Sequence, residues 1–240
     1  MSKAEVERQF LEILLRKGGL RIAPSTKELF VFKSGRKSPN FVNMGALTDG
    51  ESLSKIKWIC GNFIANLLER NELEDFEFIF GPGYKGISLA ALACEGLSEL
   101  RGINARYLYD RKEEKVYGDK KMDQMIVGAG YFRPGGRILI LDDTITTGGT
   151  KFEAIEKLNT LGEHKVVGLV VAVDRQEKMG DAEHVEEKSA VQNIKDQFGF
   201  PVFSILNMQT IFDQIKNNLN EDIQKSWIEY YSRYGVVKLE

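Results

Sequence analysis

The residues with the clearest chemical potential lie in one stretch, Ile138–Thr150, in which an apolar run is followed by two acids and then by threonines and glycines. Backbone N–H groups in such a loop, and at the start of the helix that follows, lack intrahelical partners and attract a phosphate dianion. Glycine lets the backbone approach a ligand closely, and threonine hydroxyls add uncharged donors. The pattern therefore predicts a phosphate-binding loop from Thr144 to Thr150.

Asp142 and Asp143, which precede this loop, need a different ligand. Carboxylates repel a phosphate but accept hydrogen bonds from hydroxyl groups, such as those of a ribose diol. If the stretch only capped the start of a helix, one capping residue would be enough. Two acids followed by several threonines and glycines are more than a helix cap requires. The stretch therefore predicts a site for a sugar phosphate, with the phosphate in the loop and the sugar hydroxyls at the acids.

The elements that must position this site form an alternating pattern. Apolar runs predict strands over residues 76–80, 105–109, 137–141, 166–173 and 202–206, and shorter strands over 29–32 and 40–44. Helical spacing predicts helices over 6–16, 52–69, 86–100, 148–161 and 185–198, and two more within 209–234. Apolar strands that alternate with helices indicate an α/β fold, with a parallel sheet covered by helices on both faces. Such sheets bind ligands at the carboxyl ends of their strands.

The composition limits the classes of protein that fit. The chain has 240 residues, of which 42% are hydrophobic and 28% are charged, and this predicts one globular domain over residues 1–240. The net charge of −2 gives no reason to expect nucleic acid or an anionic membrane as partner, and no apolar run is long enough to span a bilayer. Two cysteines, Cys60 and Cys94, lie in apolar helical runs and favour a reducing, cytoplasmic location.

The stretch Ile138–Thr150 resembles the signature of the type I phosphoribosyltransferases, and other segments narrow the resemblance to orotate phosphoribosyltransferases. Phe32–Phe41 resembles the N-terminal segment of that family, and Gly81–Ile87 resembles its diphosphate-contacting turn. Tyr109–Lys115 resembles its mobile basic loop, and Asp174–Glu177 matches the arginine segment after a late strand. The four segments occur in the order of that family. The resemblance implies the type I fold with a small N-terminal hood over about residues 1–45. It also implies transfer of a 5-phosphoribosyl group from 5-phosphoribosyl diphosphate (PRPP) to orotate, which gives orotidine 5′-monophosphate in pyrimidine biosynthesis.

Site residues follow from the same resemblance. The residues expected to bind PRPP are Lys33, Tyr84, Lys85, Arg111, Lys112, Lys115, Asp142, Asp143, Thr144, Ile145, Thr146, Thr147, Gly148, Gly149 and Thr150. Those expected to act in catalysis are Asp142, Asp143, Arg111, Lys112 and Lys115. The cations suit the negative charge that grows on the departing diphosphate. Charge count alone would also fit a solvated loop over 110–124.

Orotate binding is expected at Phe41, Val42, Thr146 and Arg175. A planar anionic pyrimidine favours a flat apolar surface and a fixed guanidinium for its carboxylate. Arg175 could instead form a surface ion pair with Asp174 or Glu177. The family often has an aromatic residue where Val42 stands and a loop histidine where Tyr117 stands, so this chain departs from the pattern at both positions.

The resemblance further implies Mg²⁺ bound through substrate diphosphate and ribose oxygens without a dedicated protein cage, and a homodimer in which the loop 110–124 reaches the neighbouring subunit's site. Two alternatives are open at this point. A purine could replace orotate as acceptor, although it has no carboxylate for Arg175. Alternatively, the chain could be a regulator that only senses the sugar diphosphate, although it lacks the basic block of a nucleic-acid binder.

Overall fold

The computed structural model describes residues 2–111, 125–145 and 149–240. Its N-terminal part contains α1 (Lys3–Arg16), β1 (Leu20–Ile22), β2 (Phe30–Val31), β3 (Lys37–Ser38) and β4 (Asn40–Val42). There follow α2 (Gly50–Glu69), β5 (Phe78–Gly81), α3 (Lys85–Arg101), β6 (Arg106–Asp110), β7 (Ile126–Val127) and β8 (Gly136–Ile145). The last part contains α4 (Gly149–Lys157), β9 (His164–Asp174), β10 (Lys178–Gly180), β11 (Val185–Ser189), α5 (Ala190–Phe198), β12 (Val202–Asn207), α6 (Met208–Ile215) and α7 (Glu221–Tyr234).

The central sheet has the strand order β12-β9-β8-β5-β6-β7, and its strands are parallel except for β7, which runs antiparallel to β6. Successive residues of β8 alternate between two apolar clusters. Leu139 and Leu141 pack in the cluster that also contains side chains of α1, α2, α3, α6 and α7, whereas Ile138 and Ile140 pack with side chains of α4 and α5. The predicted α/β class, with helices on both faces of a mostly parallel sheet, is confirmed.

The strand order reverses at β5. The chain leaves β5 toward β6 on one side, and β8 later enters on the other side of β5. Connections from the carboxyl ends of two such strands diverge, which opens a crevice at that edge of the sheet. The connection after β5 and the carboxyl end of β8 therefore border the same crevice, where ligands are expected.

Helix boundaries follow local capping rules. The α1 helix buries Val6, Phe10 and Leu14 along one face, and the side chain of Ser2 caps it by accepting a hydrogen bond from Glu5 N. The α3 helix ends at Gly102, whose φ of +67° places it in the left-handed region that glycine favours. These boundaries lie within a few residues of the predicted ones.

Three predicted boundaries were wrong. Strand β8 does not end at Leu141 but continues through the acids to Ile145, because β9 pairs alongside it as far as Asp174. The helix predicted over 185–198 begins only at Ala190. Residues 185–189 form β11 instead, paired antiparallel with β10. The helix predicted over 148–161 ends at Lys157, and a 3₁₀ turn over Leu158–Leu161 follows.

Outside the central sheet, the described residues form three small antiparallel pairs, β1–β4, β2–β3 and β10–β11. The first two lie in the segment predicted as a hood, whose extent and the single-domain assignment stay predictions. None of the helices in the described ranges combines the length and apolarity that a bilayer crossing requires.

Candidate active site

Two residues predicted separately to contact PRPP meet at the crevice. Lys85, the first residue of α3, places its Nζ 2.9 Å from Oδ2 of Asp143 on β8. The Asp143 side chain is only 9% exposed, whereas that of Lys85 is 51% exposed. The pair therefore presents a cation to solvent directly beside a carboxylate that is fixed in the sheet.

Glycines make this approach possible. A Cβ on Gly86 would lie 2.9 Å from the Leu141 carbonyl oxygen and 3.2 Å from Asp142 Oδ1, and a Cβ on Gly81 would overlap the Gly86 carbonyl. The start of α3 thus lies directly against the end of β8. A side chain at either glycine would push the Lys85 turn away from the acids.

The two adjacent acids have different surroundings. Asp142 is 1% exposed, its Oδ1 accepts a hydrogen bond of 2.7 Å from Asp143 N, and apolar side chains such as Phe80 and Ile140 lie beside it. Asp143 instead contacts the exposed ammonium of Lys85. The prediction that both acids hold the sugar diol is untested, and Asp143 is the acid whose carboxylate lies beside a solvent-exposed group.

The predicted phosphate loop is described only in part. Thr144 is half-buried on β8, and Ile145 is buried, so a ligand would meet the backbone of Ile145 rather than its side chain. Thr146, Thr147 and Gly148 lie outside the described residues, and α4 begins at Gly149, with Thr150 next. A strand, β8, ends before these residues and a helix, α4, begins after them.

Asp110 at the end of β6 contacts two other parts of the site, although its sequence context did not single it out. Its Oδ1 accepts a hydrogen bond of 2.6 Å from Gly83 N, in the turn before Lys85. Its Oδ2 accepts one of 2.8 Å from Nζ of Lys157, at the end of α4. Asp110 therefore connects the turn after β5 to α4, the helix that follows the predicted phosphate loop. No sequence signal pairs Asp110 with Lys157, because the two residues lie on distant elements.

Arg111 lies directly after Asp110 and is half-buried. Its N–H donates to the Met125 carbonyl at 2.8 Å, and its Nε is buried without a hydrogen-bond partner among the described residues. Lys112, Lys115 and Tyr117 lie outside the described residues. The structure thus places Arg111, predicted to act in catalysis, directly after the carboxyl end of β6 and paired with Met125.

Arg175 follows the carboxyl end of β9, as the sequence predicted for an orotate-binding group. Its Nη2 lies 2.6 Å from Oε1 of Glu177, and its guanidinium carbon lies 4.1 Å from the ring centre of Phe32. The pair with Glu177 is not at the surface, since both side chains are largely buried. Burial lowers the pKa of Arg175, the Glu177 carboxylate raises it, and the net direction is upward, so the guanidinium stays charged.

The predicted aromatic surface lies next to Arg175. Phe41 stacks on Phe30 at 5.7 Å and lies 6.2 Å from Phe32, whose ring covers the Arg175 guanidinium. Val42, the next residue, is half-buried and pairs with Leu20 in the small β1–β4 sheet. Phe41 and Arg175 are therefore connected through Phe32. No contact joins Val42 to Arg175 among the described residues, and Thr146 lies outside them.

Lys33 and Tyr84 complete the predicted set. Lys33 is exposed in a turn that is closed by a hydrogen bond from Phe32 N to the Arg36 carbonyl. Gly35 in this turn has a φ of +78°. Lys33 lines a cavity of about 730 Å³ together with Arg175 and Phe32. Tyr84 is 75% exposed beside Lys85. Within the described ranges, no group of three or more His, Cys, Asp or Glu side chains could hold a metal ion.

Comparison with known proteins identifies relatives of matching length. No family model matches the chain. It is 36% identical to an orotate phosphoribosyltransferase of Bifidobacterium adolescentis over 220 residues, which cover 91% of this chain and 90% of the relative. It is 34% identical to one of Clostridium acetobutylicum over 240 residues, which cover 97% of this chain and 99% of the relative.

Solved structures agree with these relatives. The crystal structure of orotate phosphoribosyltransferase from Francisella tularensis matches with a TM-score of 0.74 and 30% identity, over 94% of this chain and 98% of that one. Adenine phosphoribosyltransferase from Saccharomyces cerevisiae, at 16% identity and a TM-score of 0.51, shares only the fold. By its similarity to full-length relatives, the chain belongs to the orotate phosphoribosyltransferase family.

Proposed function

We propose that this chain carries out the reaction of its family with the residues predicted from its sequence. The reaction transfers the 5-phosphoribosyl group of PRPP to orotate and releases diphosphate and orotidine 5′-monophosphate. The observation that carries the residue assignment is the contact of 2.9 Å between Lys85 and Asp143. It brings the predicted diphosphate cation and the predicted sugar-binding acid together beside the loop that begins after Ile145.

In this proposal, the loop from Thr144 to Thr150 binds the 5-phosphate through backbone N–H groups at the start of α4. Asp143 accepts hydrogen bonds from the ribose hydroxyls, and Lys85 turns its exposed ammonium to the diphosphate. Asp142 supports the strand end by accepting from Asp143 N. Each group acts where its charge suits the substrate atom beside it.

Charge develops on the leaving diphosphate as the bond to the sugar carbon breaks. Cations that contact the diphosphate more strongly at that stage raise kcat. We assign this role to Lys85 and Lys33, and to Arg111 with Lys112 and Lys115 at the loop. The segment 110–124 would act as a lid that is shared between the subunits of a homodimer.

A magnesium ion bound to diphosphate and ribose oxygens would neutralise part of the leaving group's charge. The donor set fits such an ion, because carboxylates of Asp142 and Asp143 adjoin the sugar site while the described residues supply no cage of their own. Asp143 would hold the ribose hydroxyls in the orientation that the ion needs.

Orotate would lie between the aromatic surface of Phe41 and the guanidinium of Arg175. The charge of Arg175 persists because Glu177 stabilises it, so a carboxylate on the base would meet a fixed cation. A purine acceptor offers no carboxylate to this cation. A cytoplasmic location also belongs to the proposal and rests on two thiols, Cys60 and Cys94, which are both free.

The experiment that tests this function is an acceptor panel with purified protein, PRPP and Mg²⁺. Orotate, uracil, hypoxanthine and adenine are supplied separately, and diphosphate release and nucleotide formation are measured with and without a chelator. Magnesium-dependent release with orotate alone is the expected result. Turnover of a purine or uracil without turnover of orotate would refute the assignment of the acceptor.

A further inference from the structure

Glu177 is a buried carboxylate shared by two guanidinium groups. Its Oε1 lies 2.6 Å from Arg175 Nη2, and its Oε2 lies 3.7 Å from Arg36 Nη1. All three side chains are largely buried, with exposures of 12% or less. A buried carboxylate needs such partners, because desolvation penalises an isolated charge.

The two arginines differ in how their donors are used. Arg36 donates to the backbone carbonyls of Asp181, Lys178 and Met179 at 3.1, 2.8 and 3.0 Å, and its guanidinium carbon lies 4.6 Å from the Tyr234 ring centre. Arg175 keeps a buried Nε for which the described residues provide no acceptor. Arg36 therefore has a structural role, whereas the donors of Arg175 are not all used within the described residues.

The charges of this cluster do not cancel. Two guanidinium groups face one carboxylate, so the cluster carries one net positive charge. The other titratable side chains that line the adjoining cavity of about 730 Å³ are Lys33, Lys178, Asp181, His184 and Glu186. A ligand with a carboxylate would balance the remaining charge of the cluster.

The C-terminal helix fixes the backbone that carries Arg175. The Tyr231 hydroxyl donates to the Arg175 carbonyl at 2.7 Å, and Val236 N, just after α7, donates to the Gln176 carbonyl at 2.9 Å. Gln176 itself has a φ of +52°, and its N–H donates to Asp174 Oδ1 at 2.8 Å. The turn after β9 is therefore fixed from both sides.

We propose that Glu177 and Tyr231 are positioning residues for orotate: Glu177 orients the Arg175 guanidinium, and Tyr231 of α7 anchors its backbone. The inference rests on the proposed contact between Arg175 and the orotate carboxylate. It assigns a role to the C-terminal segment, which the sequence left without one. It also predicts a larger effect on orotate than on PRPP, since Glu177 contacts the Arg175 guanidinium and Tyr231 contacts the Arg175 backbone.

The test compares the Glu177→Gln variant with the wild-type enzyme. The measured quantities are KM for orotate, KM for PRPP, kcat and the melting temperature. Loss of the charge that orients Arg175 should raise KM for orotate about tenfold, the lower end of what a charge-assisted hydrogen bond contributes. KM for PRPP should stay within about twofold. The matched control is Glu187→Gln, the same change on an exposed residue of β11, which should leave all four quantities unchanged.

Three outcomes overturn the proposal. The first is an unchanged KM for orotate in Glu177→Gln, and the second is an equal rise in both KM values, which would indicate a general structural role. If Glu177→Gln does not fold, Tyr231→Phe decides, because it removes one hydroxyl and keeps the ring. A selective rise in KM for orotate in Tyr231→Phe supports the proposal. An unchanged KM for orotate in Tyr231→Phe is the third outcome that overturns it.

Arg175→Ala separates this inference from the proposed function. If Arg175→Ala leaves KM for orotate unchanged, the orotate assignment fails and the inference fails with it. If Arg175→Ala raises that KM while Glu177→Gln does not, only the positioning role of Glu177 is overturned.

Discussion

Lys85 Nζ and Asp143 Oδ2 lie 2.9 Å apart, and this contact joins the two connections that border the crevice. Lys85 begins the helix after β5, and Asp143 lies near the end of β8, so the contact spans the point where the strand order reverses. The exposed ammonium is available to an anionic ligand, whereas the carboxylate is held by the sheet. A change at Asp143 should therefore affect binding more than folding.

We expect Asp143→Asn to lower kcat/KM for PRPP by about tenfold to a hundredfold, which corresponds to one charge-assisted hydrogen bond of about 1.5–3 kcal/mol. The melting temperature should change little, because Lys85 is half-exposed and water can solvate its ammonium. Initial rates at varied PRPP and thermal melting measure both effects. Asp196→Asn is the control, since Asp196 pairs with Lys188 at 2.6 Å on the surface. A large fall in the melting temperature with unchanged kcat/KM would show that Asp143 is structural.

Lys157→Met should destabilise the protein through Asp110. The ammonium of Lys157 lies 2.8 Å from Asp110 Oδ2, and the Asp110 side chain is only 10% exposed, so the substitution leaves a mostly buried carboxylate without its cation. We expect a loss of about 1–3 kcal/mol in the free energy of unfolding, measured by denaturant titration. Lys165→Met, which removes the exposed pair with Glu74, should cost less than about 0.5 kcal/mol. Equal losses in the two variants would contradict the role given to Asp110.

The sequence predicted the sheet and the location of the acid pair because these depend on local pattern. A continuous apolar run followed by Asp142 and Asp143 indicates a buried strand that reaches a polar edge, whatever the rest of the chain does. The contact between Asp110 and Lys157 depends instead on how two distant elements pack. Neither residue carries a signal of that partner in its own neighbourhood.

The hairpin after β9 shows the other limit of sequence analysis. Residues 185–189 were predicted to be helical, but they pair with β10, and the helix begins only where Ser189 and Gln192 form a capping box. Strand preference depends strongly on available partners, so tertiary context decided the outcome. Arg36 is nearly buried for the same reason, because its three acceptors lie on that hairpin or beside it.

Alkaline pH should destabilise the protein in part through Cys60. Burial raises the pKa of this thiol to about 12, so the folded state keeps the proton that the unfolded state loses above its own pKa near 9. A raised pKa contributes stability below the unfolded value, and the contribution is lost as pH rises. Between pH 8 and pH 10 the loss should reach about 1.4 kcal/mol for this one group.

Comparison with the Cys60→Ala variant separates the contribution of Cys60 from the contributions of tyrosines and lysines, which also titrate in this range. The variant should be less stable at pH 8 because a buried Sγ is removed, and the gap to the wild type should narrow by about 1.4 kcal/mol at pH 10. Urea titrations at both pH values measure the gap. A gap that stays constant would show that Cys60 ionises equally in both states.

The final prediction concerns the proposed exchange of the lid between subunits. If Lys112 and Lys115 act on the neighbouring site, an inactive double variant of these lysines and an inactive Asp143→Ala variant should complement each other. A mixed dimer would contain one site with both defects and one site with neither, whereas a lid that acts on its own subunit would leave every site with one defect. With random subunit exchange at equal amounts, half of the dimers are mixed, so activity should return to about a quarter of the wild-type value.

The assay is orotate-dependent diphosphate release after denaturation and joint refolding, with separately refolded variants mixed afterwards as the control. Activity that stays at the level of the separate variants, while light scattering confirms dimers, would assign the lid to its own subunit and remove the reason for a shared site.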